Sequence, residues 1–362
     1  MIYFLAHWDW ILERSRSDIV DAIKNDYKII SICPLKENKK NIEKIYYKSI
    51  HWDLNRTKTF NLIGVLKLRK IIGMFEKGSI LHIFTIKSLF LFLLSSIFLK
   101  KDFKIIASVT GLGYLFAGTK LGTFLKIILR PFIILKINNL IDILIFQNRE
   151  NLDEFLTYSK FNGKVKIIEG SGLMTTDFKI KKNKNALKKI LFVGRLLREK
   201  GIYEYIEIAD KMKERTDMEF FIAGTPDFGN KSSINEEDFE RIQNNPNLKY
   251  LGEIDVNSRL QEFDILIQPS YHEGLSRILI ESIYVGLFCI ANDIPGMKEI
   301  INKTQLGVLI KNNNIDSYIN SIENLRKGIP DNLFYDARKI ISMNYSVQAI
   351  SNKFKKIYDE YN

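Results

Sequence analysis

Four side chains in the C-terminal half of the chain, Arg195, Lys200, Glu273 and Glu281, are of types that together could hold one anionic, hydroxyl-rich ligand. Glu273 stands in Pro269-Ser-Tyr-His-Glu273-Gly-Leu-Ser276, directly after an apolar run, and Glu281 follows inside a helical pattern that ends at Gly286. A carboxylate at the end of a strand can accept hydrogen bonds from the hydroxyls of a neutral, polyhydroxylated ligand. Gly274 beside it lets the backbone come close to such a ligand. A helix starting near Ser276 would offer the N–H groups of Gly274, Leu275 and Ser276 as an anion site. Glu281, within an apolar helix, needs polar partners, and ribose hydroxyls would serve. Arg195 and Lys200 follow Gly194 in a short loop, and two cations there suit a diphosphate. Plainer readings exist for each: an acid favoured by the helix dipole for Glu273, a surface position for Glu281, a solvated basic turn for the cations. Their joint placement weakens those readings.

These residues need strands and helices to hold them. Short apolar runs mark strands at Ile2–Ala6, Lys28–Cys33, Ser79–Phe84, Ile105–Val109, Ile143–Gln147 and Val165–Glu169. After the lysine-rich stretch Lys179–Lys188 the pattern restarts at Lys189–Gly194, Met218–Ala223, Leu248–Leu251, Ile265–Gln268, Cys289–Ala291 and Gly307–Ile310. Strands separated by helical patterns predict parallel sheets covered by helices. The expected fold class is therefore α/β, with two Rossmann-like doubly wound domains facing an interdomain cleft. The expected boundaries are 1–180 and 181–344, with an amphipathic helix over 345–362. Ligands bind at the carboxyl ends of parallel strands, so the residues just after each strand are the ones to inspect.

Composition narrows the function. The chain has 362 residues, long enough for two cores, and a net charge of +12. That charge suits nucleic acid, an anionic membrane or an anionic small substrate. No zinc-finger or RNA-binding signature accompanies the lysines, so nucleic acid is not expected as a partner. Cys33 and Cys289 have no metal or redox spacing and read as buried thiols. The first residues lack the basic start and cleavage site of a signal peptide. Ser88–Leu99, followed by Lys100 and Lys101, is too short to span a bilayer, and Lys126, Arg130 and Lys136 interrupt Thr123–Ile141. Both segments can be read as membrane-surface helices or as core helices.

The Glu273-to-Glu281 spacing resembles the Glu-x7-Glu motif of retaining GT-B glycosyltransferases of family 4. Ile290-Ala-Asn-Asp293-Ile-Pro-Gly296-Met-Lys-Glu299 is similar to that family's continuation, and Gly194-Arg195 to Lys200-Gly201 resembles its diphosphate loop. In the first half, Ile80-Leu-His82-Ile-Phe-Thr85-Ile-Lys87 and Thr110-Gly111-Leu-Gly113-Tyr114 resemble loops of the group that builds bacterial O-antigen, capsule and lipid-linked oligosaccharides. Trp10-Ile-Leu-Glu-Arg14-Ser-Arg16 partly matches the loop after that group's first strand.

The resemblance implies a nucleotide-sugar donor held by the second domain. Arg195 and Lys200 would hold the diphosphate and stabilise the leaving group, with Glu273 on the donor sugar and Glu281 on the ribose. Gly194, Gly274, Leu275 and Ser276 would line the donor site. Arg16, His82, Lys87, Gly111 and Gly113 would form the opposing, acceptor-side wall. No Asp-x-Asp motif is present, and no metal or other cofactor is expected. The pattern identifies no side-chain nucleophile. The implied reaction moves a hexose or N-acetylhexosamine, with UDP-GalNAc the expected donor, onto an undecaprenyl-diphosphate-linked glycan. The enzyme would work on the inner face of the cytoplasmic membrane, attached peripherally. Two alternatives stay open: a UDP-sugar epimerase of the same fold, and a non-enzymatic scaffold in polysaccharide assembly.

Overall fold

The computed structural model describes residues 1–36, 38–54, 61–97, 101–112, 116, 120–181, 188–228, 230, 232–325 and 330–361. The chain divides into two compact units, Met1–Gly172 joined by Val347–Asn362, and Leu173–Ser346.

The first unit carries strands β1 (Ile2–Ala6), β2 (Ile29–Cys33), β3 (Lys48–His51), β4 (Ile80–Phe84), β5 (Lys104–Val109), β6 (Ile143–Phe146) and β7 (Lys164–Ile167). They pair in parallel, in the order β3-β2-β1-β4-β5-β6-β7. β1, β2, β4 and β6 are buried along their whole length. That is why they read as unbroken apolar runs: helices cover both faces of the sheet. β3 is different. Lys48-Ser-Ile-His51 is an edge strand, exposed or half-buried throughout, and has no apolar run to announce it.

Strand alternation sorts the side chains of β4 between two cores. Leu81 and Ile83 face the core shared with helices Leu62–Ile72, Ile86–Ser95 and Lys120–Leu140. Ile80 and Phe84 face the opposite core, which takes Leu12, Ile19 and Val20 from helix Asp9–Ile23 and Ile350, Phe354, Ile357 and Tyr358 from helix Val347–Asp359. The segment around Ser88 is a core helix: Leu89, Leu91, Phe92 and Leu93 are all buried. It packs between the two neighbouring helices, and residues 98–100 at the end of the predicted segment lie outside the described residues. Among the described residues, no helix is long and apolar enough to cross a membrane. Both cysteines are buried and unpaired, and burial pushes their thiols far above the usual range.

The second unit carries β8 (Lys189–Val193), β9 (Glu219–Ala223), β10 (Leu248–Tyr250), β11 (Ile265–Gln268), β12 (Phe288–Asn292) and β13 (Gly307–Ile310). They also pair in parallel, in the order β10-β9-β8-β11-β12-β13.

Each sheet has one switch point. The chain runs outward from β1 through β2 to β3, then returns to place β4 on the other side of β1. It does the same from β8 through β10 and back to β11. Where strand order reverses, the loops diverge to opposite faces and leave a crevice at the carboxyl ends. The candidate residues are those after β1 and β4, and those after β8 and β11.

Candidate active site

In the second unit, the loops after β8 and β11 meet at the switch point. Gly194 directly follows β8, and its positive φ of 153° favours glycine. Arg195 follows, more than half exposed, with its guanidinium 3.2 Å from Asp227. Lys200 closes the loop, and its ammonium donates to Glu273 Oε1 at 2.5 Å. Glu273 Oε1 also accepts from the Gln268 side-chain amide at 3.2 Å. Ser276 fixes that amide, its hydroxyl donating to Gln268 Oε1 at 2.6 Å. Both members of the Lys200–Glu273 pair are largely shielded, with side chains 25% and 14% exposed.

Two glycines set the approach of these loops. Gly201 has φ +76°, and a Cβ there would lie 2.2 Å from the Pro269 carbonyl oxygen. A Cβ at Gly296, in the first turn of helix Pro295–Thr304 after β12, would lie 2.4 Å from the Glu273 carbonyl oxygen. Backbone therefore packs on backbone from β8 through β11 to β12. Side-chain amides tie the same loops: Asn313 donates to the Pro269 carbonyl at 2.7 Å and Asn292 to the Ser270 carbonyl at 3.1 Å.

The helix predicted near Ser276 is Arg277–Val285, with Ser276 as its N-cap accepting from the Leu279 N–H. Here one expectation is corrected. The Ser276 N–H is already used, donating to the Gly296 carbonyl at 3.1 Å, because the start of helix Pro295–Thr304 lies against this loop. Ser276 works through its hydroxyl, holding Gln268 and capping the helix. Gly274 and Leu275 stay in the loop between Glu273 and that cap. Glu281 lies one turn into the helix, buried, and accepts from Arg277 Nε at 2.7 Å. Burial raises its pKa, and the Arg277 charge partly offsets this.

In the first unit the switch point gathers a cluster that sequence spacing does not announce. His7 directly follows β1, and Thr85 directly follows β4. His7 Nδ1 lies 2.9 Å from Thr85 Oγ1 and 3.1 Å from Ser88 Oγ, and the His7 backbone N–H donates to Ser88 Oγ at 2.9 Å. Thr85 has φ 79° and ψ 151°, a region almost reserved for glycine. Trp8 stacks on Trp10 at 5.1 Å between ring centroids, next in the chain. Isolated in an apolar context, His7 carries no motif; only the pairing of β1 with β4 brings it to Thr85 and Ser88.

Residues 174–333 match the family described as "Glycosyl transferases group 1", and residues 2–148 match "Glycosyl transferase 4-like". The two matches fall one on each unit. The chain belongs to the GT4-type glycosyltransferases. Its sequence is 29% identical over 187 residues to the N,N'-diacetylbacillosaminyl-diphospho-undecaprenol alpha-1,3-N-acetylgalactosaminyltransferase of Campylobacter jejuni, covering 49% of this chain and 46% of that one. It is 21% identical over 174 residues to the capsular polysaccharide biosynthesis glycosyltransferase CapM of Staphylococcus aureus, covering 47% and 45%. The chain thus spans about half the length of the curated relatives it matches. In fold it is similar to Anabaena HepE, solved in complex with UDP and glucose, with a TM-score of 0.74 at 16% identity over 99% of both chains. The two parallel sheets and this likeness establish the GT-B fold.

Two of the residues expected on the acceptor-side wall of this GT4-type chain, His82 and Arg16, are buried. His82 sits in the middle of β4, wholly buried, with Nδ1 2.6 Å from the Tyr358 hydroxyl and Nε2 2.7 Å from Ser108 Oγ. Desolvation, aided by nearby Arg16, holds its pKa well below the usual value and keeps the ring neutral. It is a core histidine because position 82 alternates with Leu81 and Ile83 and so faces the C-terminal helix. Arg16 lies not in a loop but in helix Asp9–Ile23, which starts only three residues after β1. It is buried, donating to the Ser15 carbonyl and lying 4.6 Å over the Phe84 ring. Lys87 is half-buried in the first turn of helix Ile86–Ser95, next to Ser88. Gly111 follows β5, and a Cβ there would meet no atom within 4 Å, so local packing does not demand glycine. Gly113 lies outside the described residues.

Proposed function

We propose that the chain transfers a hexose or N-acetylhexosamine from a UDP-sugar, with retention, to a lipid-diphosphate-linked glycan in surface-polysaccharide assembly. The observation that carries this is the Lys200–Glu273 pair at the second unit's switch point. It combines a diphosphate-binding cation with a hydroxyl-binding carboxylate, as one bound nucleotide sugar requires. UDP is supported by the likeness to HepE, solved with UDP and glucose. An N-acetylhexosamine such as GalNAc and an undecaprenyl-linked acceptor are supported by the name of the Campylobacter relative.

Chemically, the departing diphosphate gathers negative charge as the glycosidic bond to the donor breaks. Lys200, shielded and held by Glu273, is a preorganised cation for that charge, and the more exposed Arg195 adds a second. We infer that they replace a metal in this role. Glu273, oriented by Gln268 and Ser276, accepts hydrogen bonds from sugar hydroxyls. Glu281 and Arg277 bind the ribose end. His7, with Thr85 and Ser88, receives the acceptor hydroxyl. The enzyme works at the inner face of the cytoplasmic membrane, where such acceptors are built. A thermal-shift or saturation-transfer screen across UDP-, GDP- and dTDP-sugars tests the donor assignment. Stabilisation by UDP-sugars alone is expected; a response confined to GDP- or dTDP-sugars would overturn the UDP assignment.

A further inference from the structure

Three neighbouring helices on one face of the first unit's sheet, Leu62–Ile72, Ile86–Ser95 and Lys120–Leu140, have an unusual outer surface. The last of these, the longest of the three, turns apolar side chains to solvent along one stripe. Phe124, Ile127, Ile128 and Leu135 are 60%, 67%, 55% and 61% exposed. Their spacing follows the helical repeat over three turns, with exposed Pro131 between them. The first helix repeats the pattern: Leu62, Ile63 and Leu66 are each more than half exposed. Helix Ile86–Ser95 packs against both.

Charge on these helices is one-sided. The first carries three Lys or Arg, the second one and the third four, and none holds an Asp or Glu. Flanking acids pair with two of these cations, Asp53 with Lys67 and Glu154 with Lys126. The excess remains strongly positive. Exposed apolar stripes of this extent mark contact surfaces, and a predominantly cationic flank selects an anionic one.

We propose that this face docks on a bilayer bearing anionic headgroups, with Phe124, Ile127, Ile128 and Leu135 inserted among the acyl chains and the lysines and arginines at headgroup level. The docking rests on the reading of a lipid-linked acceptor only for its biological sense; its test does not. Of the two segments open to a membrane-surface reading, it places the inserted stripe on Thr123–Ile141, since the side chains around Ser88 are buried.

The test uses the full chain and sucrose-loaded vesicles, without donor or acceptor. Phosphatidylcholine vesicles containing phosphatidylglycerol should sediment the protein, and high salt should release most of it. Pure phosphatidylcholine should bind far less. Ile127→Glu with Ile128→Glu should lower partitioning by roughly tenfold or more, with UDP binding by thermal shift unchanged. Unchanged partitioning of that variant, or no sedimentation of the wild type, would overturn the proposal. So would a wild-type dimer in analytical ultracentrifugation that the same substitutions dissociate, since the face would then bind a second copy. Vesicle binding with no glycosyl transfer would leave the docking intact and refute the transferase reading instead.

Discussion

Replacing Lys200 with methionine separates a catalytic cation from a structural one. The Lys200 ammonium sits 2.5 Å from Glu273 Oε1, and both side chains are largely shielded. Removing it leaves the Glu273 carboxylate with the Gln268 amide at 3.2 Å. Loss of a charged hydrogen bond costs about 1.5–3 kcal/mol when buried, and partial exposure lowers that to roughly 1–2 kcal/mol. In a unit of this size the melting temperature should fall by roughly 2–8 °C. The effect on rate should be larger. A fixed donor at a developing negative charge contributes about 100- to 1,000-fold in kcat, roughly 3–4 kcal/mol. Adding Glu273→Gln removes the orphaned carboxylate and should restore most of the lost melting temperature. It should not restore turnover. Steady-state rates with a UDP-sugar and lipid acceptor, beside calorimetric melts of both variants, provide the comparison. The catalytic role is refuted if Lys200→Met keeps activity within about threefold of wild type, a change of only about 0.7 kcal/mol. It is equally refuted if the double variant regains activity together with stability, since the cation would then serve only to hold Glu273.

Other predictions follow from the same geometry. His7→Ala should raise the acceptor KM or lower kcat by about tenfold or more while leaving UDP affinity unchanged, measured by kinetics beside calorimetric UDP titration. Gly296→Ala forces a Cβ against the Glu273 carbonyl; overpacking of about 1–3 kcal/mol should lower the melting temperature and weaken donor binding together. His82 has a folded pKa well below its unfolded value of 6.5. Below that pH the unfolded chain takes up a proton that the folded chain refuses. Stability should therefore be full above pH 6.5 and fall as pH drops, with a slope approaching about 1.4 kcal/mol per unit from this group. His82→Gln should flatten that part of a denaturation-versus-pH profile. Turnover should be unchanged by EDTA, because Arg195 and Lys200 supply the charge; loss on chelation with rescue by a divalent ion would contradict that role.

The sheets were legible because buried parallel strands leave apolar runs, and β4, β6, β8 and β11 are such runs. β3 was not, since an edge strand with outward Lys48 and His51 has no such run. The relative placement of Glu273, Ser276 and Glu281 was legible because spacing along one strand–loop–helix unit is a local property: all three lie in the loop and helix that follow β11. The acceptor side was not. His82 falls inside the predicted strand Ser79–Phe84; what spacing could not supply is that its face of the sheet is covered by the helix Val347–Asp359, whose Tyr358, 276 positions away, holds the ring. Arg16 required knowing that the helix after β1 begins at Asp9. His7 and Thr85 are 78 positions apart, and only the β1–β4 pairing joins them. The α/β pattern implies that pairing without fixing its register. The Ser276 N–H was misjudged for a related reason: its acceptor, the Gly296 carbonyl, comes from the helix that follows the next strand.

The decisive measurement incubates the purified protein with radiolabelled UDP-N-acetylgalactosamine and a bacterial lipid extract, then partitions the mixture between butanol and water. Transfer predicts label moving into the organic phase, with release of UDP, and none of this with Lys200→Met. Label that stays in water as an isomerised UDP-sugar would make the protein an epimerase and contradict the account.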